Sequence, residues 1–337
     1  MLFGIAWAVL VGVASPLMGL AFNATKFLVQ ARQNGVRFDA TLTLGEQHML
    51  VSPERIAALL RGHGFWPPPD GETNFLTALR ATKGRFEVFA RALGAKKASA
   101  MDVSNYEGAA ILHDLNQPVP PALEECFDVV IDGGSLEHVF NFPVAIGNCM
   151  KMVKTGGHLI LLTGANNYFG HGFYQFSPEL LYRVLSRENG FEVTRMIGLE
   201  EGLGRSSVFG VKYDFYISGP WFEVRDPAVI RSRVTLLNDK PVSLFVVAKK
   251  VAREVLFKTP PQQSDYIPQW EAGKEMDSLG QSSFGRGVVD WLRSHLSEHF
   301  YRESLPRLAL VLDPFRLWRF RRNQSFANRE FYRKVDS

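Results

Sequence analysis

Phe127-Asp-Val-Val-Ile-Asp132-Gly-Gly-Ser-Leu-Glu137-His138-Val139 is the stretch on which the reading of this chain turns. A short apolar run meets an acid, and paired glycines follow at once. Such a run, bounded by a turn signal, reads as a strand buried on both faces. In open α/β sheets, ligands lie outside the carboxyl ends of the strands, so Asp132 at this strand end marks a cleft.

Working outward, the same grammar recurs. Strands are expected at Ala40–Gly45, about Lys97–Met101, Ala109–His113 and His158–Thr163, with Asp102 and Asp114 closing two of them. Ser52-Pro53-Glu54 and Ser177-Pro178-Glu179 read as helix N-caps with proline at the first helical position. A helix over about Asn74–Leu93 carries a break at Gly84, and another covers Phe142–Val153. Gly62–Gly71 is a loop. Asn189-Gly190 turns into a strand over Phe191–Ile197, residues 198–240 read as Gly-rich and irregular, and Ser243–Ala248 is a last strand. Short strands alternating with helices specify βα units and a mainly parallel sheet.

Composition narrows the functional classes. With 46% hydrophobic and 21% charged residues in 337, the chain has the material for a full core and is not a disordered one. Two cysteines, Cys126 and Cys149, make neither a disulfide framework nor a zinc cluster, so a reduced, cytoplasmic setting is expected. The net charge of +4 belongs entirely to residues 288–337. A basic footprint over the domain is absent, and no nucleic-acid partner is expected.

The two ends read differently from the middle. Met1–Thr25 has no charged side chain and matches the ~20 apolar residues of a membrane helix. An anchor or interfacial helix, a packed first helix and an over-extended translation start are the three readings of it. Phe315-Arg-Leu-Trp-Arg-Phe-Arg-Arg322 interleaves rings with guanidinium groups and suits an anionic membrane surface. The expected division is an apolar lead-in at 1–37, an α/β domain at 38–250, a linker at 251–287 around Pro260-Pro261, and a basic, aromatic, helical tail at 288–337.

Several segments together resemble class I S-adenosylmethionine-dependent methyltransferases. Phe127–Val139 looks like their fourth-strand region, and Met152-Val-Lys-Thr-Gly-Gly-His-Leu-Ile-Leu-Leu162 like the glycine pair leading into their fifth strand. Ser177–Tyr182 with Asn189–Val193 is similar to their fifth helix and sixth strand, and Ser243–Lys250 to the terminal strand. The likeness spans 38–250. Leu42–Gln47 (LTLGxQ), Asp102–Asn116 (ending in HDLN) and Gly170–Leu180 (GHGFYQFSPEL) resemble a bacterial subgroup of that family.

The resemblance implies a Rossmann-like fold, a seven-stranded, mainly parallel sheet with one antiparallel strand and helices on both faces. It implies S-adenosylmethionine as cofactor and methyl transfer to an oxygen or nitrogen of a small polar or glycan-like acceptor. Asp102, with Val103 and Ser104, would take the ribose, and Asp114 with Leu115 the adenine edge. Asp132, Gly133 and Gly134 would lie beneath the methionine and sulfonium, and Gly45, Glu46 and Gln47 would form the first-strand turn. That turn departs from the family's acid and GxGxG-like pattern, which leaves a catalytically silent cofactor-binding or membrane-associated scaffold as the alternative. His138, beside Glu137, is the candidate base. The Glu137-His138 pair resembles the acid–histidine pair some O-methyltransferases set around a divalent cation, but two residues make no ligand set and no metal is assigned. Asn166, Asn167, His171, Tyr174 and Gln175, after the fifth strand, are the candidate acceptor contacts, amides supplying directional hydrogen bonds and rings stacking.

Overall fold

A computed structural model describes residues 19–208, 211–266, 297, 300 and 322–335. Strand β1 (Gly19–Leu20) leads into helix α1 (Phe22–Gln33), then β2 (Ala40–Leu44) and β3 (His48–Met49). Helices α2 (Pro53–Gly62), α3 (Glu72–Ala81) and α4 (Phe86–Ala92) precede β4 (Lys97–Asp102), β5 (Ile111–Leu112) and β6 (Phe127–Asp132). Then come α5 (Phe142–Met152), β7 (Val153–Asn166), α6 (Pro178–Val184), β8 (Phe191–Val208), β9 (Val211–Val224), α7 (Pro227–Ile230), β10 (Val242–Lys250) and β11 (Tyr332–Val335).

The main sheet runs β11-β9-β8-β10-β7-β6-β2-β4-β5, and β1 pairs with β3 apart from it. From β5 to β7 every pairing is parallel. β10 is antiparallel to both β7 and β8, so within the central seven strands it is the lone reversed one. The order of strands turns around between β2 and β6, which makes their carboxyl ends the switch point of the sheet.

Alternation along the strands explains why both faces are covered. Val129, Ile131, Ile160 and Leu162 join the core under α1, α2 and α4, with Leu28, Leu60 and Phe89. Val130, Leu159 and Leu161 join the opposite core with Ile146 and Met150 of α5 and Leu181 of α6. Every residue of β6 is buried, as its uninterrupted apolar run requires. The serine caps are present: Ser52 Oγ accepts from Arg55 N, and Ser177 Oγ from Leu180 N.

Three expectations are corrected, and one break is present where it is expected. The sheet has nine strands among the described residues, because β9 and β11 extend it past the expected seven. Residues 198–224 are not irregular: most of that stretch is the hairpin β8–β9, whose rungs run from Ile197↔Glu223 to Val208↔Val211, while 231–240 has no regular structure, as expected. The break expected at Gly84 is present and separates α3 from α4: Gly84 stands at φ +80° with the carbonyl of Met49 only 2.8 Å from where a Cβ would be. The tail ends in a strand, not a helix, since Tyr332–Val335 pairs with Trp221–Val224; most of the remaining tail, with residues 315–321, lies outside the described residues.

The expected linker begins as packed chain: Phe257 N donates to Asn189 Oδ1 (2.9 Å), and Ser264 N to Glu179 Oε1 (2.7 Å). Residues 1–18 of the apolar lead-in lie outside the described residues, while α1 buries Phe27, Leu28 and Val29. Among the described residues no helix is long and apolar enough to cross a membrane.

Candidate active site

The cleft begins where β2 ends. Gly45 turns with φ +70°, a conformation glycine adopts without cost, and its N–H donates to Met101 O (2.7 Å). The next two residues fold inward. Arg85 Nε donates to Glu46 Oε1 (3.0 Å), holding that carboxylate as an ion pair. Gln47 is fully buried, and its Nε2 donates to Leu44 O (3.0 Å). The Gln47 Oε1 atom has no donor and lies 2.7 Å from where a Cβ on Gly133 would be. A single glutamine therefore fills space between the ends of β2 and β6, and the glycine after Asp132 makes room for it.

Beside β2, the ends of β4 and β5 carry open carboxylates. Asp102 Oδ1 accepts from Ser104 N (3.1 Å) in a turn made by its own segment, and Val103 is exposed. Asp114 Oδ1 accepts from both Asn116 N (2.9 Å) and Asn116 Nδ2 (2.8 Å), which keeps its carboxyl below the usual carboxylate range. Leu115 is half-buried, and its carbonyl accepts from Asn148 Nδ2 (3.2 Å).

On the other side of the switch point the acids are sunk. Asp132 Oδ1 accepts from Ser135 N (2.7 Å) and Leu136 N (3.3 Å), while its Oδ2 has no donor. Burial, reinforced by the charge of Glu137, pushes the Asp132 carboxyl up to about 8. Glu137 is 2% exposed, and burial raises it as well. Thr163 Oγ1, at the end of the apolar run of β7, donates to Glu137 Oε2 (3.3 Å). Glu137 Oε1 faces His171 Nε2 at 3.8 Å. The exposed His138 ring lies 5.0 Å from that of His171, centroid to centroid, and desolvation followed by His171 lowers its pKa.

The loop after β7 turns back on this cluster. Phe173 N and Tyr174 N both donate to Glu137 O (2.8 and 3.3 Å), and Gly172, at φ +73°, passes so close that a Cβ would lie 2.8 Å from that same oxygen. Of the five acceptor contacts expected here, only His171 stands by the acids. The amides are spent on folding: Asn166 Nδ2 donates to Asn238 Oδ1 (2.8 Å), and Asn167 Nδ2 to Lys240 O (2.8 Å). Gln175 Oε1 accepts from Tyr168 N (2.9 Å), and Tyr174 OH donates to Phe140 O (2.6 Å). Exposed rings stand at the rim instead: Phe140 and Phe173 meet edge-on at 5.9 Å, and Phe169 is 96% exposed. Thr163 and Arg85 are site residues the sequence reading passes over. A lone polar residue closing an apolar strand is the signal for Thr163; none existed for Arg85.

No family model matches the chain, and no curated protein matches it. Among solved structures it is similar to a Bacillus halodurans protein provisionally termed a methyltransferase, at 13% identity and TM-score 0.35, over 68% of this chain and 99% of that one. It is also similar to the 1,6-didemethyltoxoflavin-N1-methyltransferase of Burkholderia thailandensis, solved with S-adenosylhomocysteine, at 12% identity and TM-score 0.32 over 74% and 86%. A third is the branched-chain polyamine synthase of Thermus thermophilus, solved with 5′-methylthioadenosine, at 13% identity and TM-score 0.33; the match covers 71% of this chain and 58% of that one.

Proposed function

We propose that this chain transfers a methyl group from S-adenosylmethionine to an oxygen or nitrogen of a small polar or glycan-like acceptor. The observation that supports this reading is a pair of buried polar atoms without partners, Gln47 Oε1 and Asp132 Oδ2, at the switch point of a doubly wound sheet. A buried polar atom left unpaired costs about 1–3 kcal/mol. A ligand bearing an ammonium group would donate to Gln47 Oε1 and favour the ionised form of the Asp132 carboxyl, and the methionyl end of this cofactor carries one. When bound, the cofactor supplies an electrophilic methyl group on a sulfonium that departs as a neutral thioether.

The residues divide the remaining tasks. Asp102, with Val103 and Ser104, holds the ribose hydroxyls as a charged acceptor. Asp114 and Leu115 bound the adenine edge, while Gly45, Gly133 and Gly134 let backbone approach closely. Glu46, tied to Arg85, holds the first-strand turn in shape. His138, kept neutral by its lowered pKa, takes the acceptor's proton at a ring nitrogen. Glu137 faces His171, and the two fix the wall against which the acceptor sits. The exposed rings of Phe140, Phe169 and Phe173 stack on the acceptor, a role the tethered amides do not fill.

Calorimetric titration with S-adenosylhomocysteine, followed by a screen of hydroxyl and amine acceptors for label transfer, tests the reading. Saturable binding with turnover is expected. No binding overturns it, and binding without turnover on any acceptor class returns the chain to the silent scaffold. Peripheral attachment to anionic bilayers through residues 1–22 and 315–322 belongs to the same proposal. It predicts liposome flotation that weakens with salt.

A further inference from the structure

We propose that Glu137, His138 and His171 form a three-ligand site for a divalent transition-metal cation. One ligand atom from each lies within 4.8 Å of the other two, and this is the one such group of three or more among the described residues. Two imidazoles and a carboxylate are a borderline-soft donor set suited to zinc, cobalt or iron(II). Donors about 2.0–2.2 Å from a metal lie roughly 3–3.5 Å apart in a tetrahedral or facial arrangement. The 3.8 Å between Glu137 Oε1 and His171 Nε2 is thus within a small adjustment of ligation. His171, with its side chain 53% exposed on a loop flanked by Gly170 and Gly172, is the partner free to make it.

Three further observations support a cation here. Glu137 is more than nine-tenths buried, yet no lysine or arginine among the described residues pairs with it. A buried carboxylate with no positive partner is costly. Its two oxygens are differentiated: Thr163 donates to Oε2, which leaves Oε1 turned to His171, the outer-shell bond by which metal ligands are oriented. Finally, the backbone of Glu137 accepts from Phe173 and Tyr174, so the loop that carries His171 is stitched to the residue that carries the carboxylate.

Three protein ligands leave coordination positions open, and both histidines are exposed. The use of those positions rests on the methyl-transfer reading: they select an acceptor hydroxyl over an amine bearing a positive charge. The hydroxyl gives its proton to water, the oxygen keeps the electron pair that forms the new bond to the methyl carbon, and the carbon–sulfur bond breaks with its pair passing to the departing neutral thioether. In the loaded protein His138 is then a ligand and no longer the proton acceptor.

The full chain, stripped with chelator, is titrated with cobalt(II) by visible absorption and with zinc(II) by calorimetry. One equivalent is expected to bind. Glu137→Gln, His138→Ala and His171→Ala should each weaken it tenfold or more, Thr163→Val should do so about tenfold through Glu137, and His63→Ala should leave it unchanged. His171→Ala alters an exposed loop, so circular dichroism of that variant guards against misfolding. Absence of a saturable site, or wild-type affinity in the three ligand variants, overturns the proposal. S-adenosylhomocysteine titrated in parallel separates the two claims. Cation binding without it keeps the site and removes its catalytic use, whereas nucleoside binding without cation removes the site alone.

Discussion

The two sides of the switch point are built to opposite rules. At the ends of β4 and β5, Asp102 is half-buried and Asp114 exposed, each carboxylate accepting within its own turn, among exposed Val103, Tyr106 and Leu112. At the ends of β6 and β7, Asp132 and Glu137 are sealed from water, and both carboxyls are raised. The neighbouring strands explain the contrast. β6 and β7 lie in the middle of the sheet with α5 against them, whereas β5 is a two-residue edge strand that covers little. An exposed carboxylate stays charged at small cost and suits recognition by hydrogen bonds. A buried one sits where the effective dielectric is low, and there each neighbouring charge counts for more. On the proposed reading, the open side holds the ribose and adenine of the cofactor, and the sealed side takes its methionyl end and governs the chemistry.

The largest expected effect tests that division on the sealed side. His138→Ala should lower turnover by about 10²–10⁴-fold while S-adenosylhomocysteine affinity stays nearly intact. Single-turnover rates alongside calorimetry check it; parallel loss of binding would make His138 part of the cofactor cradle and erase the contrast. On the open side, Asp102→Ala should remove charge-assisted hydrogen bonds of about 1.5–3 kcal/mol, or about ten- to a hundred-fold in Kd. An unchanged Kd in the folded variant would sink the ribose assignment.

Smaller effects sharpen the role of burial itself. Asp132 in the fold keeps its proton to about pH 8, whereas the unfolded chain releases it near pH 4. Its stabilising contribution is therefore complete below about pH 4 and is lost as pH rises toward 8. Thermal unfolding from pH 5 to 8.5 should show the melting temperature of the wild type falling relative to Asp132→Asn, whose amide oxygen still accepts from Ser135 and Leu136. Parallel curves would mean the carboxyl is ionised throughout. His158, in the same strand β7, is half-buried, and burial first and Lys249 second bring it down to about 4. The sign is opposite: its contribution is whole above about pH 6.5 and is lost as pH falls toward 4. His158→Gln should flatten that acid limb by a smaller amount, read in the same melts.

How much of this was legible in the sequence depends on whether the deciding contact was local. The β6 strand, the acid and glycine turn after it, and the caps at Ser52 and Ser177 all lie within a few residues of their own signals. The β8–β9 hairpin was not legible, because Gly198, Gly202, Gly204 and Gly219 read as breaks. In the fold Gly219 serves a shift of register between Leu199 and Glu201, where a Cβ would lie 2.7 Å from Glu200 O. The site shows the same limit. Glu137 and His138 stand together in sequence, but His171 joins them only because a distant loop turns back at Gly172. Asn166 and Asn167 carried the chemistry of acceptor contacts, yet nothing near them in sequence announces Asn238 and Lys240 as their partners.

The pairing of β11 with β9 has a consequence for how the chain behaves in company. A sheet edge with unpaired N–H and C=O groups is a template on which another chain can add. Tyr332–Val335 covers that edge at Trp221–Val224, with Phe326 stacked 4.3 Å from Phe222 to hold the segment down. A chain cut before Phe326 would present bare backbone beside newly uncovered aromatic rings. Self-association through strand addition then becomes the cheapest way to satisfy both, so residues 326–335 act as a guard against other copies of the chain.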